Sequence, residues 1–237
     1  MENYYYYDDD EVLNMDPGPY DSRTINTKIL MYNDSEVSID LLIDIGGVYP
    51  LYLPLGKTDN ITLPEKYYET ITGSGLFGPV SGYIGRIKEL QLGKYAINDV
   101  LTAYTEVDST ADIYGNTMIG LPLLQRFNIT FDYFNEKLII EPSEIFNNKF
   151  DFSKTGLRLR PDPNGYLLVN EVFTGSPGDE AGIKVTDIIT FVNNKKTTDY
   201  KPGEIRTILS QEGKTVTFVI ESKGEKKNVV IELREIL

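Results

Sequence analysis

Asp44 ends the apolar run Leu41-Leu42-Ile43 and is followed by Ile45, Gly46 and Gly47. A carboxylate at the end of a strand that reads as buried loses hydration, so it needs partners or a chemical task. Two readings are open. In one, Asp44 hydrogen-bonds its own turn and the two glycines supply backbone freedom. In the other, Asp44 is half of a paired-carboxylate centre, in which one acid keeps a proton and the pair activates a water.

The chain of 237 residues contains no histidine and no cysteine. That excludes disulfides, cysteine-rich zinc sites, thiol nucleophiles, Ser-His-Asp triads and histidine bases together. Acid-base work near neutral pH falls to carboxylates, lysine or tyrosine. No metal-ligand set and no cofactor motif is called for.

The net charge of -13 is unevenly spread, with 23 acidic and 10 basic residues in 1–150 and 13 of each in 151–237. Such a step predicts two domains, and an acidic first domain argues against nucleic acid as a partner. No apolar run reaches the roughly 18 residues of a membrane-spanning helix, and the start Met1-Glu2-Asn3-Tyr4 lacks the pattern of an export signal. The compartment stays open.

The elements that must hold these residues are mostly strands. Residues 1–22, with Tyr4-Tyr5-Tyr6-Tyr7 and an acidic cluster, read as a disordered tail, the alternative being a segment that docks on a partner. β patterning then covers 24–32, 36–43 and 48–53, with a short helix expected over 64–70. The glycine-rich stretch 73–85 reads as a mobile hairpin or an ordinary surface loop, and further strands are expected over 86–92, 97–104 and 128–140. Met118-Ile119-Gly120 leads into a short apolar helix that tolerates Pro122 in its first turn. In the second half, Ser176 caps a short helix begun by Pro177, a second helix spans 202–209, and strands fill 156–159, 166–172, 188–192, 215–221 and 227–233.

The ordered series Leu-Ile-Asp-x-Gly-Gly, glycine-rich hairpin, Gly-Arg-Ile-Lys-Glu-Leu-Gln-Leu-Gly, Ile-Gly-x-x-x-Leu and Arg-Phe-Asn-Ile-Thr-Phe-Asp-Tyr resembles the retropepsin-like aspartic protease domain of bacterial proteins, where a PDZ domain follows. The likeness is to the second of two such halves. It implies a mainly β fold, with an acid-protease half-barrel over 23–145, a linker over 146–154 and a PDZ domain, a small β-barrel with two helices, over 155–237. It also implies a catalytic Asp44, with Gly46, Gly47 and Gly120 supporting the catalytic loop and the 73–85 hairpin closing as a flap. Members of this family are often exported.

Three departures bear on catalysis. Ile45 stands where the motif carries a threonine or serine hydroxyl, only one Asp motif is present, and Leu121-Pro122 replaces more polar residues. With one motif per chain, the dyad requires a homodimer or a second chain.

The second domain resembles a bacterial, permuted PDZ domain. Thr155, Gly156, Leu157 and Arg158 fall in the loop and edge strand that hold a peptide in that family, and residues 202–209 form the opposite wall. Gly178 stands where alanine is usual. The expectation is an aspartic-type endopeptidase acting on peptides or unfolded proteins if dimeric. The alternative is a non-catalytic scaffold carrying a peptide-binding module.

Overall fold

A computed structural model describes residues 10–18, 21–56, 60–75, 78–106 and 117–237. The chain divides into two compact units, Met1–Phe150 and Asp151–Leu237, so the division falls within the stretch expected as linker.

In the first unit the strands are β1 (Glu11–Asn14), β2 (Asp16–Pro17), β3 (Arg23–Leu30), β4 (Glu36–Asp44), β5 (Leu51–Leu55), β6 (Tyr68–Gly75), β7 (Gly78–Leu92), β8 (Tyr95–Glu106) and β9 (Met118–Gly120). A single-turn helix α1 (Leu121–Leu124) follows, then β10 (Phe127–Asp132) and β11 (Lys137–Pro142). The sheet order β2-β3-β4-β9-β5-β8-β7-β6 closes on itself because β3 also pairs with β7. The closing register is Lys28 with Gln91, Ile29 with Leu90 and Leu30 with Glu89. Closure leaves β3, β4, β9, β5, β8 and β7 as a ring whose members have neighbours on both sides.

Alternation decides which face of β4 turns inward. Val37, Ile39 and Leu41 are buried and the residues between them are exposed, as the period of two requires. β5 breaks that alternation. Leu51, Tyr52, Leu53 and Pro54 are all buried, because β5 lies between a parallel β8 and an antiparallel β9 and is covered on both faces.

Three expectations for this unit are corrected. The tail was expected to be disordered, yet β1 pairs antiparallel with β11 and Met15 is fully buried beside it. The pairing of Val12, Leu13 and their neighbours with an apolar strand outweighs the acidic composition around them; residues 1–9 lie outside the described chain. The helix expected over 64–70 is absent. Tyr68, Glu69, Thr70 and Ile71 instead join the β6–β7 hairpin, where aromatic and β-branched residues fit the pleat and gain cross-strand partners.

Third, the linker expected over 146–154 is held by the first unit as far as Phe150. The buried Arg126 guanidinium donates to the carbonyls of Ile145, Phe146 and Asn148 through one nitrogen and of Lys149 through the other, and lies 3.9 Å from the Phe150 ring centroid. A fork of fixed N–H donors suits a cluster of carbonyl acceptors, which is why an arginine fills this position.

The glycines of the 73–85 hairpin also gain a specific reason. A side chain at Gly82 would come within 2.2 Å of the Tyr104 carbonyl, and one at Gly85 within 2.6 Å of Pro64. Both positions need glycine for close packing on β8 and the preceding loop. The tip, residues 76 and 77, lies outside the described residues.

The second unit contains β12 (Leu157–Pro161), β13 (Leu167–Val172), α2 (Pro177–Glu180), β14 (Ile188–Val192), β15 (Lys195–Lys196), α3 (Glu204–Leu209), β16 (Thr215–Ser222) and β17 (Glu225–Glu232). The order β12-β13-β14-β16-β17, with β15 on β14, makes one antiparallel sheet with β12 at its edge. Val169, Ile183, Ile189, Val192, Phe218 and Ile220 lie in its core. As expected, the Ser176 hydroxyl caps α2 by accepting from the Asp179 N–H.

Candidate functional sites

Each unit holds one candidate site, and each is built on a loop where glycine permits backbone segments to touch. In the first unit, the parallel pairing of β4 with β9 places Asp44 opposite Gly120. Gly47 N–H donates to the Asp44 carbonyl at 3.1 Å, and Leu121 N–H donates to the Gly47 carbonyl at 3.1 Å. Gly120 N–H reaches the Pro50 carbonyl at 3.0 Å. A side chain at Gly120 would lie 2.1 Å from the Tyr49 carbonyl, and one at Gly47 would lie 3.0 Å from the Gly120 Cα. Asp44, Gly46, Gly47 and Gly120 are therefore brought together.

The Asp44 carboxylate is half-buried, and its Oδ1 accepts from Gly46 N–H at 2.9 Å. Beneath it lies Tyr52, which the sequence reading did not select. Its hydroxyl accepts from the N–H groups of Val48 at 2.8 Å and Tyr49 at 3.1 Å, so one phenol ties the turn after Asp44 to β5. Burial pushes the Tyr52 phenol up and the Asp44 charge adds to this, while the two amide bonds act against it. The net effect keeps the phenol neutral. Only the spacing of Asp44 and Tyr52 around a glycine turn could have pointed to it.

Around this carboxylate the surface is apolar. Ile45 is 69 % exposed, Val48 71 % and Leu121 46 %, all three flanking the same turn. Ile45, where a hydroxyl was expected, points out rather than into the fold.

In the second unit a groove of about 530 Å³ lies between β12 and α3, lined by Leu157, Leu159 and Leu167 on the sheet side and Ile205 and Leu209 on the helix. Thr155, Gly156 and Leu157 form its end loop. Gly156 has φ +69°, and a side chain there would meet Ser176 at 2.0 Å. Gly178 has a physical reason as well: its N–H donates to the Thr155 carbonyl at 2.8 Å, and a side chain would lie 2.4 Å from Leu157. The loop and α2 approach too closely for an alanine.

Arg158, expected as a peptide-binding residue, turns its side chain to Glu171 on β13 at 3.3 Å. Its backbone, not its charge, lies on the groove edge. Sequence reading missed Ser153, Lys154 and Glu235. Ser153 and Thr155 hydroxyls lie 3.0 Å apart, and the Leu157 N–H donates to both, at 3.2 and 3.1 Å. Buried Lys154 donates to Glu235 at 2.6 Å and has Glu212 at 3.7 Å. Burial alone would pull its ammonium down, but the Glu235 bond and the charges of Glu235, Glu212 and Asp151 outweigh that and leave it raised. Glu235 is 81 residues from Lys154, so no local motif could have shown the pair.

Residues 168–222 match the PDZ domain family. The second unit carries a PDZ domain. Over 108 residues, 44 % of this chain, the protein is 30 % identical to a probable CtpA-like serine protease of Staphylococcus aureus, of which it spans 22 %. A retropepsin-like aspartic protease from Rickettsia conorii aligns over 55 % of this chain and 89 % of its own, with 17 % identity and a TM-score of 0.35. A PDZ domain protein from Parabacteroides distasonis aligns over 35 % of this chain and 20 % of its own, with 22 % identity and a TM-score of 0.31. Among the described residues no helix is long and apolar enough to cross a membrane.

Proposed function

We propose that the protein is an aspartic-type peptidase whose active centre forms between two copies of the first unit, with the PDZ domain binding peptide segments of the substrate. What carries this reading is the Asp44 turn: a half-buried carboxylate held by Gly46 N–H and ringed by the exposed apolar Ile45, Val48 and Leu121. Exposed apolar side chains around a polar group suit a surface that a second copy covers. In such a pair two carboxylates lie too close for both to ionise, one retains a proton, and together they orient and deprotonate a water for attack on a peptide carbonyl. The β6–β7 hairpin would close over the substrate and exclude water.

The homodimer supplies the second Asp44, and Gly46, Gly47 and Gly120 support the loops that bring the two carboxylates together. The test combines sedimentation with turnover of a denatured protein. A dimer whose cleavage is lost in Asp44→Asn supports it; a monomer at micromolar concentration that cleaves nothing refutes it.

One observation favours a second reading, a non-catalytic scaffold beside a peptide-binding PDZ domain. Ile45 cannot supply the hydroxyl bond that locks paired loops, and its exposed position leaves that bond unmade in the isolated chain. Under this reading Asp44→Asn leaves peptide binding unchanged. Under the first, Ile45→Thr raises turnover.

A further inference from the structure

The end loop of the groove is closed on itself. The Leu157 N–H, at the mouth of the groove where β12 begins, is bonded to the hydroxyls of Ser153 and Thr155, and the Ser153 hydroxyl also donates to the Leu157 carbonyl at 3.1 Å. Thr155 is 2 % exposed and its hydroxyl is held in that cluster, so the amide is satisfied from within the chain. An anion arriving there must displace these bonds.

The charge around the loop acts in the same direction. Its buried cation, Lys154, is engaged by Glu235 and Glu212, and Asp151 lines the same groove. One ammonium faces three carboxylates. Glu212 and Glu235 are 59 % and 38 % exposed and both contact Lys154, which lines the groove, so the ammonium's charge is offset there. Arg206, the other groove cation, stands on the helix wall. Between loop and helix Leu157, Leu159, Leu167, Ile205 and Leu209 make the apolar part of the lining, with Thr207 and Ser210 beside them, and β12 is the edge strand of its sheet.

We infer that this groove takes an internal, extended peptide segment, with an aliphatic side chain against Leu157, Leu159, Ile205 and Leu209 and a basic residue just beyond it, rather than a free chain-terminal carboxylate. The segment pairs with β12 through its backbone, its aliphatic residue fills the groove, and its chain runs on past the loop where Glu212, Glu235 and Asp151 favour a cation. This inference rests on the PDZ groove being a peptide site.

The test uses the full-length protein and fluorescence anisotropy with a labelled peptide ending in leucine, in three forms: free acid, amide-capped, and extended beyond the leucine by glycine and lysine with an amide cap. The extended form is expected to bind about tenfold tighter than the free acid, with the amide-capped form between them. Equal or tighter binding of the free acid overturns the inference while leaving the groove as a peptide site. No binding by any form overturns the groove reading, and this inference with it. The exposed substitution Glu212→Lys is expected to shift the ratio severalfold toward the free acid, and an unchanged ratio counts against the charge assignment. In the double variant Ser153→Ala, Thr155→Val the freed Leu157 N–H is expected to do the same, retained binding of the amide-capped form reporting an intact fold; an unchanged ratio overturns the role given to the hydroxyls.

Discussion

The two candidate sites use the same device and reach opposite states of completion. At Asp44 the turn is satisfied by backbone, Gly46 N–H to carboxylate and Gly47 N–H to carbonyl, and the side chains that flank it, Ile45, Val48 and Leu121, are left to solvent. At the PDZ end loop the side chains turn inward, with Ser153 and Thr155 on the Leu157 amide and Lys154 on Glu235. The aliphatic residues there already face each other across a groove. The first arrangement needs another surface to become a site, whereas the second is whole within one chain. Concentration should therefore govern the function of the first unit and leave peptide binding by the second unaffected.

The widest separation between them comes from Asp44→Asn. If the acids pair, turnover falls by on the order of a thousandfold or more, while peptide affinity at the groove stays the same. Turnover assays and anisotropy on the same sample read both. Coupled loss of binding would show that the two sites are not independent.

Next in size are the glycines. Gly120→Ala puts a methyl 2.1 Å from the Tyr49 carbonyl, and Gly156→Ala puts one 2.0 Å from Ser176 in a left-handed backbone. Neither neighbour can withdraw without moving backbone or the α2 cap. Each is expected to cost its own unit about 3 kcal/mol, readable as a lowered midpoint in urea for that unit alone. Gly56, with φ +78° and open space where a side chain would stand, serves as the control: it carries the backbone strain without the clash.

These contrasts also mark what could be read from the chain. That Asp44, its glycines and Gly120 come together was legible because a strand, an acid and small residues follow in order, and their meeting depends only on one parallel pairing. Ser176 as a cap was legible because capping is local. The strand β1 was not, since its partner β11 lies more than a hundred residues away and its composition matches that of a disordered acidic tail. Arg126 and Lys154 escaped for the same cause, each being decided by carbonyls or carboxylates brought near by folding, whereas Tyr52 escaped although its amide partners are only three and four residues away, because nothing in the sequence turns its hydroxyl back onto them. The short stretch after Pro64 misled because its helix-compatible residues are overruled by the hairpin that follows.

Arg126 and Lys154 extend the comparison to stability, since each is a buried cation that gathers a distant segment of its own unit. Arg126 donates to carbonyls and lies over the Phe150 ring, and Arg126→Met leaves the carbonyls of Ile145, Phe146 and Lys149 without that partner. The loss is expected at about 2–3 kcal/mol in the first unit, with residues 145–150 becoming accessible to protease. Lys154→Met removes a bond to partly hydrated carboxylates and is expected to cost less, about 1 kcal/mol, because Glu235 and Glu212 can return to water.

Alkaline titration should separate the units most finely. In the first, Tyr104 is fully enclosed and burial holds its phenol far above the ordinary 10.0, so the folded chain keeps a proton that the unfolded chain releases. The stability tied to that proton is intact below pH 10.0 and drains away as pH rises above it. In the second, Lys154 is also raised, from 10.5, so its ion pairs are fully present below that pH and lost as pH climbs through the folded value. Both units weaken in alkali, the first beginning earlier and falling further because a sealed phenolate has no water to receive it. Tyr104→Phe forfeits only a 3.3 Å bond to the Arg86 carbonyl and should make the alkaline limb of the first unit shallower, the remainder belonging to phenols such as Tyr52 that burial also raises, while Lys154→Met flattens that of the second. Urea midpoints of each unit from pH 8 to pH 11 would read both slopes. A Tyr104→Phe protein that still loses first-unit stability as steeply would assign the effect to other groups.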